Sequence, residues 1–103
     1  MICLTILYPE TGEAKFGLDY YLNVHIPLVR EKLQPEGLIS IDLEQGLAGG
    51  LPGTPPIYAA IGKLNFETPE ALQSALAIHG PELMADIPNF TKSQPLMQLS
   101  RII

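Results

Sequence analysis

Residues 2–8 read Ile-Cys-Leu-Thr-Ile-Leu-Tyr, a run made almost entirely of β-branched, aromatic and other apolar side chains. Successive side chains of a strand point to opposite faces, so apolar residues at both even and odd positions indicate burial on both faces. Residues 57–66, which read IYAAIGKLNF, have the same property. Both segments are therefore predicted to be central strands of one sheet, with Gly62 leaving space for a neighbouring side chain.

Two segments have the spacing of amphipathic helices. The first is predicted to begin near Gly17 to Asp19, with Asp19 as a candidate cap, and to end at Leu33. The second begins at Thr68-Pro69-Glu70 and is predicted to break or kink at Gly80-Pro81 before a short further turn. The inward stripes are Tyr21, Leu22, His25, Leu28, Val29 and Leu33 in the first helix and Leu72, Ala75, Leu76 and His79 in the second. Both histidines are therefore expected to point toward the same face of the sheet.

The remaining segments complete the order of elements. Residues 38–44 alternate apolar and polar, as in a half-exposed edge strand, and residues 96–103 form the last strand. Residues 45–56 are rich in glycine and proline and form a long connection, either a cover for a site or an ordinary hairpin tip. This order predicts one α+β domain over residues 1–103, a ferredoxin-like βαββαβ sandwich with a four-stranded antiparallel sheet. Both helices cover one sheet face, and a second copy of the chain is the simplest cover for the other, which predicts a homodimer.

The composition argues against several classes of function. Six Lys and Arg residues stand against eleven Asp and Glu and are scattered singly, so nucleic acid is not an expected partner. Cys3 is the single cysteine, which excludes an internal disulfide and a cysteine-based metal site. The first apolar run is short and no basic residue precedes it, so neither a signal sequence nor a membrane partner is expected. The expected compartment is the cytoplasm.

His25 is the main candidate for chemistry. Pro27 lies two residues later inside a helix, where proline costs about 3 kcal/mol and frees the carbonyl of Asn23. Imidazole exchanges protons near neutral pH, so His25 is a candidate general acid or base; the alternative is a core histidine that donates to a backbone carbonyl. Tyr21 lies one turn earlier on the same face, either as an orienting or ligand-binding group or as rim packing.

The other candidates for the pocket are aromatic or imidazole side chains: Tyr8, Tyr20, Tyr58, His79 and Phe90. Two histidines without a paired acid at ligand spacing are a weak pattern for a metal site, so no metal is predicted. No serine occupies a nucleophile elbow, and no glycine-rich phosphate motif ends in lysine. Covalent catalysis and nucleotide binding are therefore disfavoured, and no cofactor is predicted.

Several segments resemble the signature of the EthD family within the dimeric α+β barrel superfamily. They are YYLNVHIPL at 20–28, GLAGG at 46–50, Pro52-Gly53, Pro55-Pro56, Ile61-Gly62, DIPNFT at 86–91 and Gln94-Pro95. Together they span nearly the whole chain in order. The resemblance implies a homodimer whose two sheets face each other, with a ligand cavity in each protomer between sheet and helices. It also implies that His25 is the histidine of the family's helix-1 motif.

The resemblance leaves alternative functions open. EthD is named for a role in ethyl tert-butyl ether degradation, and related proteins include cofactor-independent monooxygenases acting on polycyclic phenols, muconolactone isomerases and haem-degrading enzymes. One hypothesis is an enzyme without metal that abstracts a proton from a small hydrophobic or phenolic metabolite, with His25 as acid/base and Tyr21 as orienting group. A second is a non-catalytic binding or accessory protein for an oxygenase, and a third is a structural dimer without a cavity. A haem site would need His79 as the only other axial candidate.

Overall fold

A computed structural model describes all residues, 1–103, and contains four strands. They are β1 (Ile2–Pro9), β2 (Ser40–Gln45), β3 (Tyr58–Phe66) and β4 (Leu96–Arg101). The strands form one antiparallel sheet in the order β2-β3-β1-β4. This order confirms that the two strands with apolar residues at both parities are central and that β2 is an edge strand.

The first helix, α1, is continuous but consists of three segments. Leu18–Tyr20 is α-helical, Tyr21–His25 is π-helical and Ile26–Leu33 is again α-helical. The backbone N–H of Ile26 donates to the carbonyl of Tyr21, five residues earlier. Pro27 follows directly and has no N–H to donate. The helix defect predicted at this proline therefore takes the form of a π-helical turn, a feature that often marks functional sites.

The widened turn changes which side chains of α1 face the core. Leu22 was predicted to point inward, but 43% of it is exposed, whereas Ile26 is buried. Tyr21 and Ile26 are five residues apart, and in a π turn this spacing places both on one side of the helix. The prediction for Leu22 is wrong because it assumed uniform α-helical geometry.

The start of α1 packs directly on a distant part of the chain. Gly17, and not the predicted Asp19, occupies the N-cap position, and no side chain caps this end. The Gly17 N–H donates to the carbonyl of Phe90 at 2.7 Å. A Cβ at Gly17 would lie 3.2 Å from the Cα and carbonyl oxygen of Phe90, so glycine permits this close approach.

The second helix, α2 (Pro69–Asp86), begins as predicted, because the Thr68 hydroxyl accepts a hydrogen bond from the N–H of Ala71 at 3.2 Å. α2 does not break at Gly80-Pro81 but continues through it to Asp86, so the short further turn predicted after the proline is part of the same helix. Gly80 has no Cβ to collide with the proline ring, and Leu83 beyond the proline is buried. Asp86 is therefore held at the end of a long, packed helix.

Both helices cover one face of the sheet, which confirms the α+β ferredoxin-like sandwich. One cluster of the core consists of Ile2, Leu4, Val29, Leu33, Leu38, Leu64, Phe66, Leu72, Ala75 and Leu83. A second cluster, richer in aromatic residues, consists of Tyr8, Tyr21, Ile26, Ala60, Ile87 and Phe90. None of the helices combines the length and the apolar character needed to cross a bilayer.

Candidate functional site

The side chain of His25 is buried in the π-helical turn of α1 and pairs with an acid from α2. The residue is 4% exposed, and its Nδ1 lies 2.9 Å from Oδ2 of Asp86. An ionised carboxylate can only accept hydrogen bonds, so this contact assigns the proton of the neutral ring to Nδ1. The lone pair of Nε2 is then free to accept a proton from a ligand.

Two more side chains hold the carboxylate of Asp86. Its Oδ1 accepts hydrogen bonds from the Tyr20 hydroxyl at 2.6 Å and from Nδ2 of Asn89 at 3.0 Å. Asn89 lies in the 3-10 turn Ile87–Asn89 directly after α2. Partial burial acts to raise the pKa of Asp86, but hydrogen bonds from Tyr20, His25 and Asn89 outweigh it and lower the pKa below its ordinary value. We call these four side chains the Asp86 network.

His25 lines a cavity of about 430 Å³ between the helices and the sheet, here called the His25 cavity. This volume is within the range of small-molecule sites. The rest of the lining is Leu4, Ile6, Tyr8, Val29, Leu64, Leu76, Gly80, Pro81, Leu83, Met84, Ile87 and Met97. His25 and Tyr8 are thus its only lining residues with a polar side-chain atom. A larger cleft of about 620 Å³ at the start of α1 contains no histidine, so the His25 cavity is the better candidate site.

Tyr8 also lines this cavity, and its side chain is buried. The residue is 1% exposed, and its hydroxyl forms no hydrogen bond with another residue. No fully enclosed polar side-chain atom of the protein lacks a partner, so the Tyr8 hydroxyl borders open space. Burial, together with the nearby Tyr21, raises the pKa of Tyr8 far above its ordinary value. Tyr8 therefore remains a neutral phenol that can donate a hydrogen bond to a ligand.

Phe90 and Tyr21 flank the imidazole and do not line the cavity. The ring centroid of Phe90 is 4.6 Å from that of His25, and the Tyr21 ring is nearly parallel to the imidazole at 6.0 Å. A Cβ on Gly62 would lie 2.8 Å from the Tyr21 hydroxyl, so the space predicted at Gly62 is taken by this side chain. Burial raises the pKa of Tyr21 to about 12.

The remaining predicted residues lie outside the His25 cavity. His79 does not line the His25 cavity, and its Nε2 lies 3.9 Å from Oε1 of Glu36. Tyr58 lines a groove beneath residues 45–56, and none of those residues lines the His25 cavity. The long connection is therefore a hairpin tip and not a cover for the cavity of its own chain. No three His, Cys, Asp or Glu side chains converge as a metal site would require.

Comparison with known proteins identifies the family. No protein-family model matches the sequence, and no curated protein matches it. The solved structure of an EthD-like protein from Ralstonia eutropha JMP134 is 32% identical, with 99% of this chain and 91% of that chain covered and a TM-score of 0.92. The chain belongs to the EthD family.

Two further solved structures share the fold of this EthD protein. An EthD family protein from Bacillus halodurans C-125 is 21% identical, with 100% of this chain and 99% of that chain covered and a TM-score of 0.73. A candidate monooxygenase from Shewanella loihica PV-4 is 14% identical, with 99% and 93% covered and a TM-score of 0.67. At these identities the likeness concerns the fold alone.

The EthD-like segments 20–28 and 86–91 meet at the Asp86 network. The sequence pattern indicated His25 and, as a ligand-binding residue, Tyr20, which does not line the cavity. It did not indicate Asp86 or Asn89, which lie 61 and 64 positions from His25 along the chain. A signal for them was present, because both belong to a segment that resembles the family. The resemblance marked the segment but gave no reason to pair its acid with the histidine.

Low pH is expected to reduce the unfolding free energy of this EthD protein, partly through protonation of Asp86. The folded pKa of Asp86 is lowered, so its contribution to stability is present above the unfolded pKa of about 3.9 and is lost as pH falls through the folded value. The difference in unfolding free energy between wild type and Asp86→Asn should therefore shrink below about pH 4. Urea unfolding of both proteins at pH 7 and pH 3 measures this difference. An unchanged difference would contradict the assigned role of the carboxylate.

Proposed function

We propose that this protein is a small-molecule enzyme that performs acid/base chemistry, without a metal or an organic cofactor, on a small hydrophobic or phenolic metabolite. One observation carries the proposal. A buried imidazole has its Nδ1 held by a carboxylate at 2.9 Å and also lines an apolar cavity of about 430 Å³. This pairing resembles the His–Asp arrangement with which unrelated enzymes orient a catalytic base.

The proposed reaction starts with a phenolic or enolic hydroxyl inside the His25 cavity. Nε2 of His25 takes the proton, the electron pair of the broken O–H bond stays on the ligand oxygen, and Asp86 stabilises the imidazolium. Tyr8 donates a hydrogen bond to the oxygen as it becomes negative. Return of the proton to a carbon of the ligand gives isomerase-like chemistry. Reaction of the electron-rich anion with dioxygen gives monooxygenase-like chemistry, in which a CH2 carbon of the ligand is oxidised to a carbonyl. One oxygen atom of dioxygen becomes that carbonyl oxygen, and the other leaves as water with the two hydrogens, so the ligand itself supplies all the electrons.

The apolar wall sets the class of ligand. Because only His25 and Tyr8 offer polar side-chain atoms, a second charged or hydroxyl group on the ligand would lose its hydration without gaining a side-chain partner. The preferred ligand therefore has an aromatic or aliphatic body and a single ionisable hydroxyl group.

The test uses 4-nitrophenol, whose neutral and anionic forms absorb visible light differently. At a pH where the free compound is mostly protonated, the protein is expected to bind it and to increase the fraction in the anionic form. Leu76→Trp, which adds volume to the cavity wall, is expected to abolish both effects while the folded structure persists by circular dichroism. Binding without deprotonation would support the non-catalytic alternative.

We also propose that the protein is a homodimer that pairs through the sheet face away from the helices. Leu4, Ile6 and Tyr8 of β1 line the cavity on the helix side, so Leu7 points to the other face. Ile61 and Leu96 pair directly with Leu7 and share that face. Leu96 is 52% exposed in the single chain, although it lies beside Leu7.

Sedimentation equilibrium is expected to give twice the monomer mass. Ile61→Glu would bury a charge at the centre of this face and is expected to shift the protein to monomer. Leu51→Glu, at an exposed position of the hairpin tip, is the matched control and should leave the dimer intact. A monomeric wild type would reject the dimer without affecting the chemistry proposed for the His25 cavity.

A further inference from the structure

Two of the three side chains that contact the carboxylate of Asp86 do not line the His25 cavity. Tyr20 is on α1 five residues before His25, and Asn89 is in the turn after α2. Both donate to Oδ1 of Asp86, while His25 alone contacts Oδ2. Nδ2 of Asn89 also lies 3.2 Å from the Tyr20 hydroxyl. The two oxygens of the Asp86 carboxylate therefore have separate hydrogen-bond partners, and this arrangement limits rotation of the carboxylate.

We propose that Tyr20 and Asn89 are positioning residues that act on His25 through Asp86. By occupying Oδ1 they leave Oδ2 to receive the Nδ1 proton, which keeps Nε2 as the acceptor toward the cavity. The inference rests on the proposed function, in which Nε2 is the base. In this role Tyr20 and Asn89 determine which ring nitrogen of His25 can accept a proton from the ligand.

Three properties of Tyr20 support this role. Its 2.6 Å contact with Asp86 is as short as hydrogen bonds from a hydroxyl to an ionised carboxylate. The same hydrogen bond is the main cause of the raised pKa of Tyr20, so the hydroxyl stays a donor over a wide pH range. The Tyr20 ring stacks on Phe90, with centroids 6.2 Å apart and an interplanar angle of 24°, and Phe90 in turn packs against His25.

Imidazole ¹H–¹⁵N correlation spectra of the ligand-free protein provide the test. Wild type is expected to show the tautomer with the proton on Nδ1, with slow exchange of that proton with water. In Tyr20→Phe, and in Asn89→Ala, this exchange should accelerate about tenfold, which corresponds to the loss of one hydrogen bond to a charged group. The population of the Nε2–H tautomer should rise in both variants. Asp86→Asn should go further, because its amide can donate to Nδ1 and make Nε2–H the main form.

Tyr58→Phe is the matched control, since it removes a tyrosine hydroxyl outside the Asp86 network and should change neither readout. The inference would be overturned if both Tyr20→Phe and Asn89→Ala kept the wild-type exchange rate of the Nδ1 proton and the wild-type tautomer population. It would also be overturned if the main tautomer of the wild type carried its proton on Nε2. The ligand-free measurement separates the two proposals. If the tautomer population responds as expected but bound 4-nitrophenol is not deprotonated, the enzyme proposal is rejected. If 4-nitrophenol is deprotonated but the tautomer population does not respond to the substitutions, only the positioning role is rejected.

Discussion

Replacing His25 by glutamine is expected to abolish deprotonation of bound 4-nitrophenol while leaving its affinity close to that of wild type. Glutamine fills a similar volume and its amide can still donate to Asp86, but it has no basic nitrogen to face the cavity. The apolar wall that provides most of the contact with the ligand is unchanged. With a true substrate, the same variant should lower kcat by about 10²–10⁴-fold, the usual contribution of a general base.

The comparison of affinity with proton transfer makes this prediction decisive. Absorbance at saturating 4-nitrophenol measures the anionic fraction, and equilibrium dialysis measures the dissociation constant for each protein. Loss of both would indicate that the variant damaged the cavity, which circular dichroism and the dispersion of the amide spectrum would reveal. Full deprotonation by a folded His25→Gln protein would reject His25 as the base.

Gly62→Ala is expected to lower the unfolding free energy by about 1–3 kcal/mol, the usual penalty for overpacking a core. Alanine in a strand interior is ordinarily favoured over glycine by roughly 0.5–1 kcal/mol, so the expected sign is opposite to the intrinsic preference. The reason is local, because the added Cβ would lie 2.8 Å from the hydroxyl of the buried Tyr21. Urea unfolding followed by circular dichroism measures the change.

Tyr21→Phe supplies the second arm of this experiment by removing the hydroxyl that the new methyl would meet. In the Tyr21→Phe background, Gly62→Ala should be neutral or stabilising by up to about 1 kcal/mol. The resulting coupling energy should be about 1–4 kcal/mol. Gly50→Ala, where an added Cβ meets nothing within 4 Å, should change stability by no more than about 0.5 kcal/mol. Equal destabilisation in both backgrounds would show that Tyr21 does not occupy this space.

The elements themselves could be predicted because each depends on nearby residues. The apolar residues at both parities of β1 and β3 correctly predicted central strands, and the hydroxyl of Thr68 correctly predicted the start of α2. Errors arose where packing overrode a local preference. Pro81 breaks an isolated helix, yet in α2 the helix continues past it to the buried Leu83. Leu22 was placed inward because no local pattern reveals that the helix widens into a π turn.

The sequence by itself determined the order of strands and helices and the central pair of the sheet, because periodicity and capping act over a few residues. The position of Pro27, two residues after His25, likewise made His25 the main candidate for chemistry. Only the tertiary structure decided that Asp86, 61 positions away, pairs with His25 and that His79 does not share its cavity. Those contacts depend on how the two helices pack on the sheet. The distance between packed helices is set by their side chains, and the spacing of residues along the chain does not reveal it.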